Sequence, residues 1–344
     1  MIQAILNTIK KTTPSKYSII FLPAALVWLV WFTALGLDEA ISTVLQHWKI
    51  SLTMVFGSLV AGATSMGGGS VAFPIFTKLL AIPPYDAKVF SLAIQSVGMG
   101  AATLVIYLRG IQVDWRIIAW GSLGGVIGIF VGLSDMMSII SPPTLKVSFT
   151  LMLICFAIAL LALNRRKRNP YPVVTLWGNT ERAIVVIAGA LGGVLSGLVG
   201  TGIDVILFIV MVLLFRMCEK TATPTSVVLM AFNAIVGFGL QAWFFNDFSP
   251  TVQGYWLAAI PVVVVGAPLG AILCSYLTRE MIVYILCFLI SIEFITTLLL
   301  VPLTLSLIYT AIALILMFSY VNYRLLRVTY YESVICRETN RQMQ

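Results

Sequence analysis

The sequence predicts an all-α polytopic membrane protein made of two inverted repeats, with about 12 hydrophobic segments. Three observations carry this. The 344 residues are 60% hydrophobic and only 10% charged, with a mean hydropathy of +1.02; a soluble domain carries about 25% charged residues. The apolar residues form runs, several of them long enough to cross the hydrocarbon core, which takes about 20 residues of helix. One unusual stretch occurs twice. FGSLVAGATSMGGGSVAFPIF (56–76) runs an apolar segment into Gly67, Gly68 and Gly69 and leaves through a short apolar piece carrying Pro74. GALGGVLSGLVGTGIDVILFIV (189–210) likewise runs an apolar segment into Gly200 and Gly202 and leaves through a short apolar piece. Placing Gly62 on Gly197 aligns Gly67 with Gly202, Met66 with Thr201, Gly69 with Asp204, Ser91 with Ser226 and Gly98 with Asn233. After a small change of offset, GGVIG (124–128) matches GAPLG (266–270).

In chain order, residues 17–35 form the first apolar run, long enough to span. Lysines precede it, as in a signal peptide, but the run is long and lacks a small-residue cleavage motif, so a retained anchor is expected. Residues 37–49 mix Asp38, Glu39, His47 and Trp48 with Ile41, Val44 and Leu45, the pattern of an amphipathic segment at the interface. The first broken pair covers 50–66 and 70–82, its second member too short to cross comfortably. Spans follow at 87–108, 115–133 and 145–163, separated by Pro83-Pro84, Arg109-Gly110 and Pro142-Pro143. Residues 164–181 are the longest polar loop, with Arg165, Arg166, Lys167 and Arg168. The second half opens on the pair 182–199 and 203–215, again with a short second member. Spans at 222–245, 252–277, 281–300 and 303–323 complete the chain before a polar tail. The divisions are an anchor and interfacial segment (1–49), a first repeat half (50–163), a basic linker (164–181), a second repeat half (182–300) and a last helix with its tail (301–344).

Lys and Arg placement sets the orientation. The 165–168 cluster puts the linker in the cytoplasm. Counting spans both ways puts both termini there too, with Lys78, Lys88 and Lys146 the minority on the outer side. The first broken pair then enters from outside and its counterpart from inside. The halves have opposite orientation, the architecture of alternating-access carriers. Whether the broken pairs cross fully or are re-entrant, the parity is the same.

Composition also excludes functions. The net charge of +8 sits in short loops and at the ends, where it orients the chain, so nucleic-acid binding is not indicated. Five scattered cysteines, with no CxxC, point to neither a disulfide framework nor a zinc site. His47 is the single histidine and no HExxH or Walker motif exists, which argues against an intramembrane enzyme and a primary pump. No cofactor and no metal are expected. The partners are a small anionic substrate and membrane lipid, and a homodimer stays open.

GSLVAGATSMGGGSVAFPIFTKLL and LSGLVGTGIDVILFIVMVLLF, with GGVIG and GAPLG, resemble the paired signatures of the TauE/SafE sulfite-exporter family of permeases, over about 49–300. The resemblance implies a carrier in the bacterial inner membrane, associated with export of sulfite, sulfoacetate and related sulfur-containing anions. The second motif departs from the first in placing Asp204 where the first half has Gly69.

The candidate site residues follow from the breaks. Backbone freed at a helix break within a membrane is tolerated only where it faces protein or lines a cavity. Free N–H groups at a helix start bind anions without a cationic side chain. Gly67, Gly68, Gly69, Ser65 and Ser70, with Thr201 and Gly202 as second-half equivalents, are therefore candidates for holding the anion; close helix packing is the alternative. Gln95 and Asn233 could complete the shell or serve interhelical hydrogen bonds. Asp204 is a carboxylate at membrane depth, a candidate for proton or cation coupling, with helix capping as the alternative. Glu293 is the other mid-span acid, a coupling candidate or the packing partner of a polar group. An anion channel or a permease of other small anions is the competing function, since broken helices line pores too; an intramembrane enzyme is the rival from another class.

Cysteines placed at Arg168 or Asn340 are expected to escape membrane-impermeant thiol reagents in intact cells; labelling from outside at either position contradicts the orientation.

Overall fold

The computed structural model describes residues 15–67, 75–76, 80–134, 141–165, 170–301 and 304–327. Helices α1 (Ser15–Leu35), α2 (Leu37–Gln46), α3 (Trp48–Ala63), α4 (Pro84–Leu108), α5 (Trp115–Leu133) and α6 (Pro142–Asn164) form the first part. The second contains α7 (Asn179–Val199), α8 (Ile203–Ile209), α9 (Glu219–Gly239), α10 (Pro250–Tyr276), α11 (Arg279–Leu300) and α12 (Leu305–Arg327). α8 and α9 each run on into a π-helical turn, at Val210–Leu214 and Leu240–Phe244. The protein is all-α and polytopic. Among the described residues, α4, α5, α6, α7, α9, α10, α11 and α12 are long and apolar enough to cross a membrane. α1 and α2, bent by 102° at Gly36, would supply a ninth span if counted together. α3 and Ile203–Leu214 are the shorter apolar helices. Twelve residues rise only about 18 Å in a helix, against a core of about 30 Å, so α8 with its π turn ends inside the bundle. Most of the short apolar piece expected at 70–82 lies outside the described residues.

The two halves are interleaved rather than set side by side. α7, which leads into the second break, packs along α5 of the first half. α3, which leads into the first, packs along α10 of the second. The two aligned glycine motifs make these contacts. A Cβ on Gly124 or Gly128 would collide with the Val186 or Ala190 carbonyl of α7, and one on Gly270 with the Leu59 carbonyl of α3. Small residues at such crossings let backbones approach, and close packing drives association where lipid and side chain are equally apolar. α4 packs against both α9 and α10 at the centre.

Proline shapes the periphery. Pro261 lies inside α10 and has no N–H, which leaves the Leu257 carbonyl without its usual intrahelical donor. The indole N–H of Trp31 on α1 donates to it at 3.0 Å, and that of Trp28 donates to the Pro261 carbonyl at 3.0 Å. The end of the polar linker is tied to both halves. Tyr171 forms a parallel bridge with Met217, and Cys218 N–H donates to the Tyr171 carbonyl at 2.7 Å. Asp114 accepts from Val174 N–H at 3.1 Å, and Arg116 donates to the Val174 carbonyl at 2.6 Å.

Gly128→Leu is expected to force α5 and α7 apart, costing about 1–3 kcal/mol as overpacking does and lowering Tm in detergent. Leu123→Ala, at an exposed site on the same helix, is expected to leave Tm almost unchanged.

Candidate functional site

The second break is built from three local devices. α7 ends at Gly200, whose φ of +87° is left-handed and whose N–H donates to the Ser196 carbonyl at 2.8 Å. Glycine takes this conformation without the strain a side chain adds. Ser196 then reaches forward, accepting the Ile203 N–H on its hydroxyl oxygen at 3.0 Å. Asp204 reaches back: its Oδ1 accepts the Gly202 N–H at 3.1 Å. The Thr201 hydroxyl lies 3.3 Å from both carboxylate oxygens. These contacts take up N–H groups at the start of α8, as capping side chains do.

The carbonyl freed at the break is claimed by α4. Gly200 O accepts from Ser91 Oγ at 3.0 Å and from Gln95 Nε2 at 2.9 Å. Gln95 Nε2 also lies 2.9 Å from the Ser91 carbonyl and 2.6 Å from Ser91 Oγ. Ser91 and Gln95 are one helical turn apart and face the same way. A first-half helix thus completes the hydrogen bonding of the second-half break.

The first break arrives at the same place. α3 ends at Ala63, and Thr64, Ser65, Met66 and Gly67 are all buried. Thr64 Oγ1 donates back to the Val60 carbonyl at 2.9 Å. Gly67 has φ +65°. A Cβ built on it would stand 2.7 Å from Thr201 Oγ1, 2.9 Å from Asp204 Oδ2 and 3.2 Å from Gln95 Oε1. Gly67, Gln95, Thr201 and Asp204 therefore converge, and the two aligned motifs face each other across one buried polar corner. Gly68, Gly69 and Ser70 lie outside the described residues.

Asn233 stands elsewhere, on α9. A Cβ on Gly125 would lie 2.8 Å from its Oδ1, and Ile203 approaches the same glycine. Both polar atoms of the Asn233 amide are buried without a hydrogen-bond partner among the described residues. Glu293 on α11 is buried and ion-paired with Lys146 of α6, beside a Thr150–Thr297 hydroxyl contact of 3.0 Å. Sequence reasoning passed over Ser196 and the role of Ser91. Ser91 was visible as the aligned counterpart of Ser226 and at i, i+4 from Gln95; nothing local marked Ser196. Among the described residues no group of three His, Cys, Asp or Glu side chains could hold a metal ion.

Long apolar helices around two broken segments that meet in a buried polar corner define a multi-pass membrane protein. The chain belongs to the sulfite exporter TauE/SafE family, whose family model matches residues 50–297. That family consists of membrane transporters rather than enzymes. No curated protein matches the chain, and no solved structure matches it.

Lys146→Met is expected to destabilise the protein by about 3–5 kcal/mol, because it strands a buried carboxylate. Lys146→Met combined with Glu293→Met is expected to recover most of that loss. Thermal unfolding of both variants in detergent checks it; a double variant no better than the single one contradicts the pairing.

Proposed function

We propose that the protein is a secondary transporter of small sulfur-containing anions such as sulfite or sulfonates, with export as its direction and with both termini in the cytoplasm. Family membership supports the substrate class. The observation that carries the transport reading is the convergence of Gly67 on Thr201, Asp204 and Gln95. Interrupted helices in corresponding positions of two halves mark the substrate site of inverted-repeat carriers, and here the interruptions come together. Gln95, Thr201 and Asp204 are each at most 3% exposed, which favours an occluding carrier over an open pore.

In this reading the backbone at 67–70, with Ser65 and Ser70, seats the anion, and the buried amide of Asn233 is a further polar contact on its path. Asp204 couples transport to a proton or a cation. Its contact with Gly202 N–H needs only an oxygen acceptor, which Asn also supplies, so Asp204→Asn keeps the helix start and removes the charge. The pairing of Glu293 with Lys146 supports a structural role for that acid.

In proteoliposomes, Gly68→Leu is expected to abolish sulfite or sulfonate flux while the protein still inserts and folds. Asp204→Asn is expected to lose gradient-driven accumulation and to retain part of passive exchange. Wild-type flux in Gly68→Leu would overturn the anion seat. Accumulation with unchanged pH dependence in Asp204→Asn would return Asp204 to a structural role.

A further inference from the structure

The polar corner opposite Gly67 presents three side-chain oxygens, from Thr201, Asp204 and Gln95, which is unexpected for the seat of an anion. The orientation of the Gln95 amide is fixed by chemistry. Its Nε2 faces the carbonyls of Gly200 and Ser91, both at 2.9 Å, and carbonyls only accept. Rotating the amide would set oxygen against two oxygens. Oε1 must therefore point the other way, towards Gly67, where it has no hydrogen-bond partner among the described residues although Gln95 is only 3% exposed. A buried amide oxygen left unsatisfied is costly.

The Asp204 carboxylate beside it is held by backbone N–H groups at the start of α8 and meets the Thr201 hydroxyl. Thr201 has one hydroxyl hydrogen for the two Asp204 oxygens, and both contacts are 3.3 Å, beyond the usual O–H···O range of about 2.5–3.0 Å. Among the described residues no Lys, Arg or His forms an ion pair with Asp204. The N–H groups of Gly202 and Ile203 are turned to Asp204 and Ser196. Thr201 Oγ1, Asp204 Oδ2 and Gln95 Oε1 all lie within 3.2 Å of one point beside Gly67.

We propose that Asp204, Thr201 and Gln95 form a binding site for a monovalent alkali cation, sodium in the first instance, between their three oxygens beside Gly67. Hard cations take oxygen ligands, and carboxylate, hydroxyl and amide carbonyl are all suitable. One bound monovalent charge neutralises one carboxylate. A divalent ion would leave a net positive charge buried at membrane depth, which is expensive. The inference rests on the transport reading and names its coupling ion; the cation would also lie next to the proposed anion seat, where its charge favours the substrate.

The test is thermal unfolding and isothermal titration of the purified full-length protein with NaCl, at constant ionic strength held with choline chloride and at two pH values. A saturable rise in Tm with sodium and none with choline is expected. Thr201→Val, which keeps the shape and removes the hydroxyl, is expected to weaken sodium binding about tenfold, and Asp204→Asn to abolish it. Equal responses to sodium and choline, an undiminished sodium response in Asp204→Asn, or a response to pH alone would each overturn the cation site. Liposome flux separates the two readings. Sodium binding without sulfite or sulfonate flux refutes the transport reading alone; flux from a protein that shows no sodium response refutes the cation site alone.

Discussion

Breaking a helix inside a bilayer releases N–H and C=O groups where no water can meet them, and each must find a partner within the protein. That constraint organises the centre of this molecule. The break after α7 releases the Gly200 carbonyl and the N–H groups of Gly202 and Ile203. Ser91 and Gln95 come from a helix more than 100 residues earlier to take the carbonyl. Ser196 and Asp204 take the N–H groups from either side. Asp204 therefore serves the backbone through Oδ1 while Oδ2 faces Gly67, and the cap and the functional carboxylate are the same side chain.

The same requirement explains the interleaved packing. Each break needs rigid walls, and each half supplies a wall to the other through a glycine-lined crossing, α5 with α7 and α3 with α10. Substitutions at GGVIG or GAPLG therefore act on the central corner by shifting the helix that leads into a break, without touching its polar groups.

Much of this was legible in the sequence because it is local. The apolar runs gave the helices to within a few residues, and the aligned glycine motifs marked the two breaks. Asp204 and Gln95 stood out as polar residues in apolar surroundings. What was not legible is which distant group each one meets. Nothing in SIEFITT says that Glu293 pairs with Lys146, 147 positions earlier. Nothing near Gly200 names Ser91. Ser196 looked like one more small residue at a helix crossing, because its work depends on the angle at which α8 leaves the break. Partner choice across a bundle follows from three-dimensional register, which single-sequence periodicity does not carry.

The tryptophans of α1 carry a consequence for what counts as the folding unit. Pro261 strips a hydrogen bond from the wall helix α10, and Trp31 restores it from a segment outside the residues that the family model matches. Removing Trp31 would leave the Leu257 carbonyl without this donor, at a cost of about 1–3 kcal/mol, on the helix against which α3 runs into its break. The helix that walls the first break is thus completed by a segment that lies outside residues 50–297.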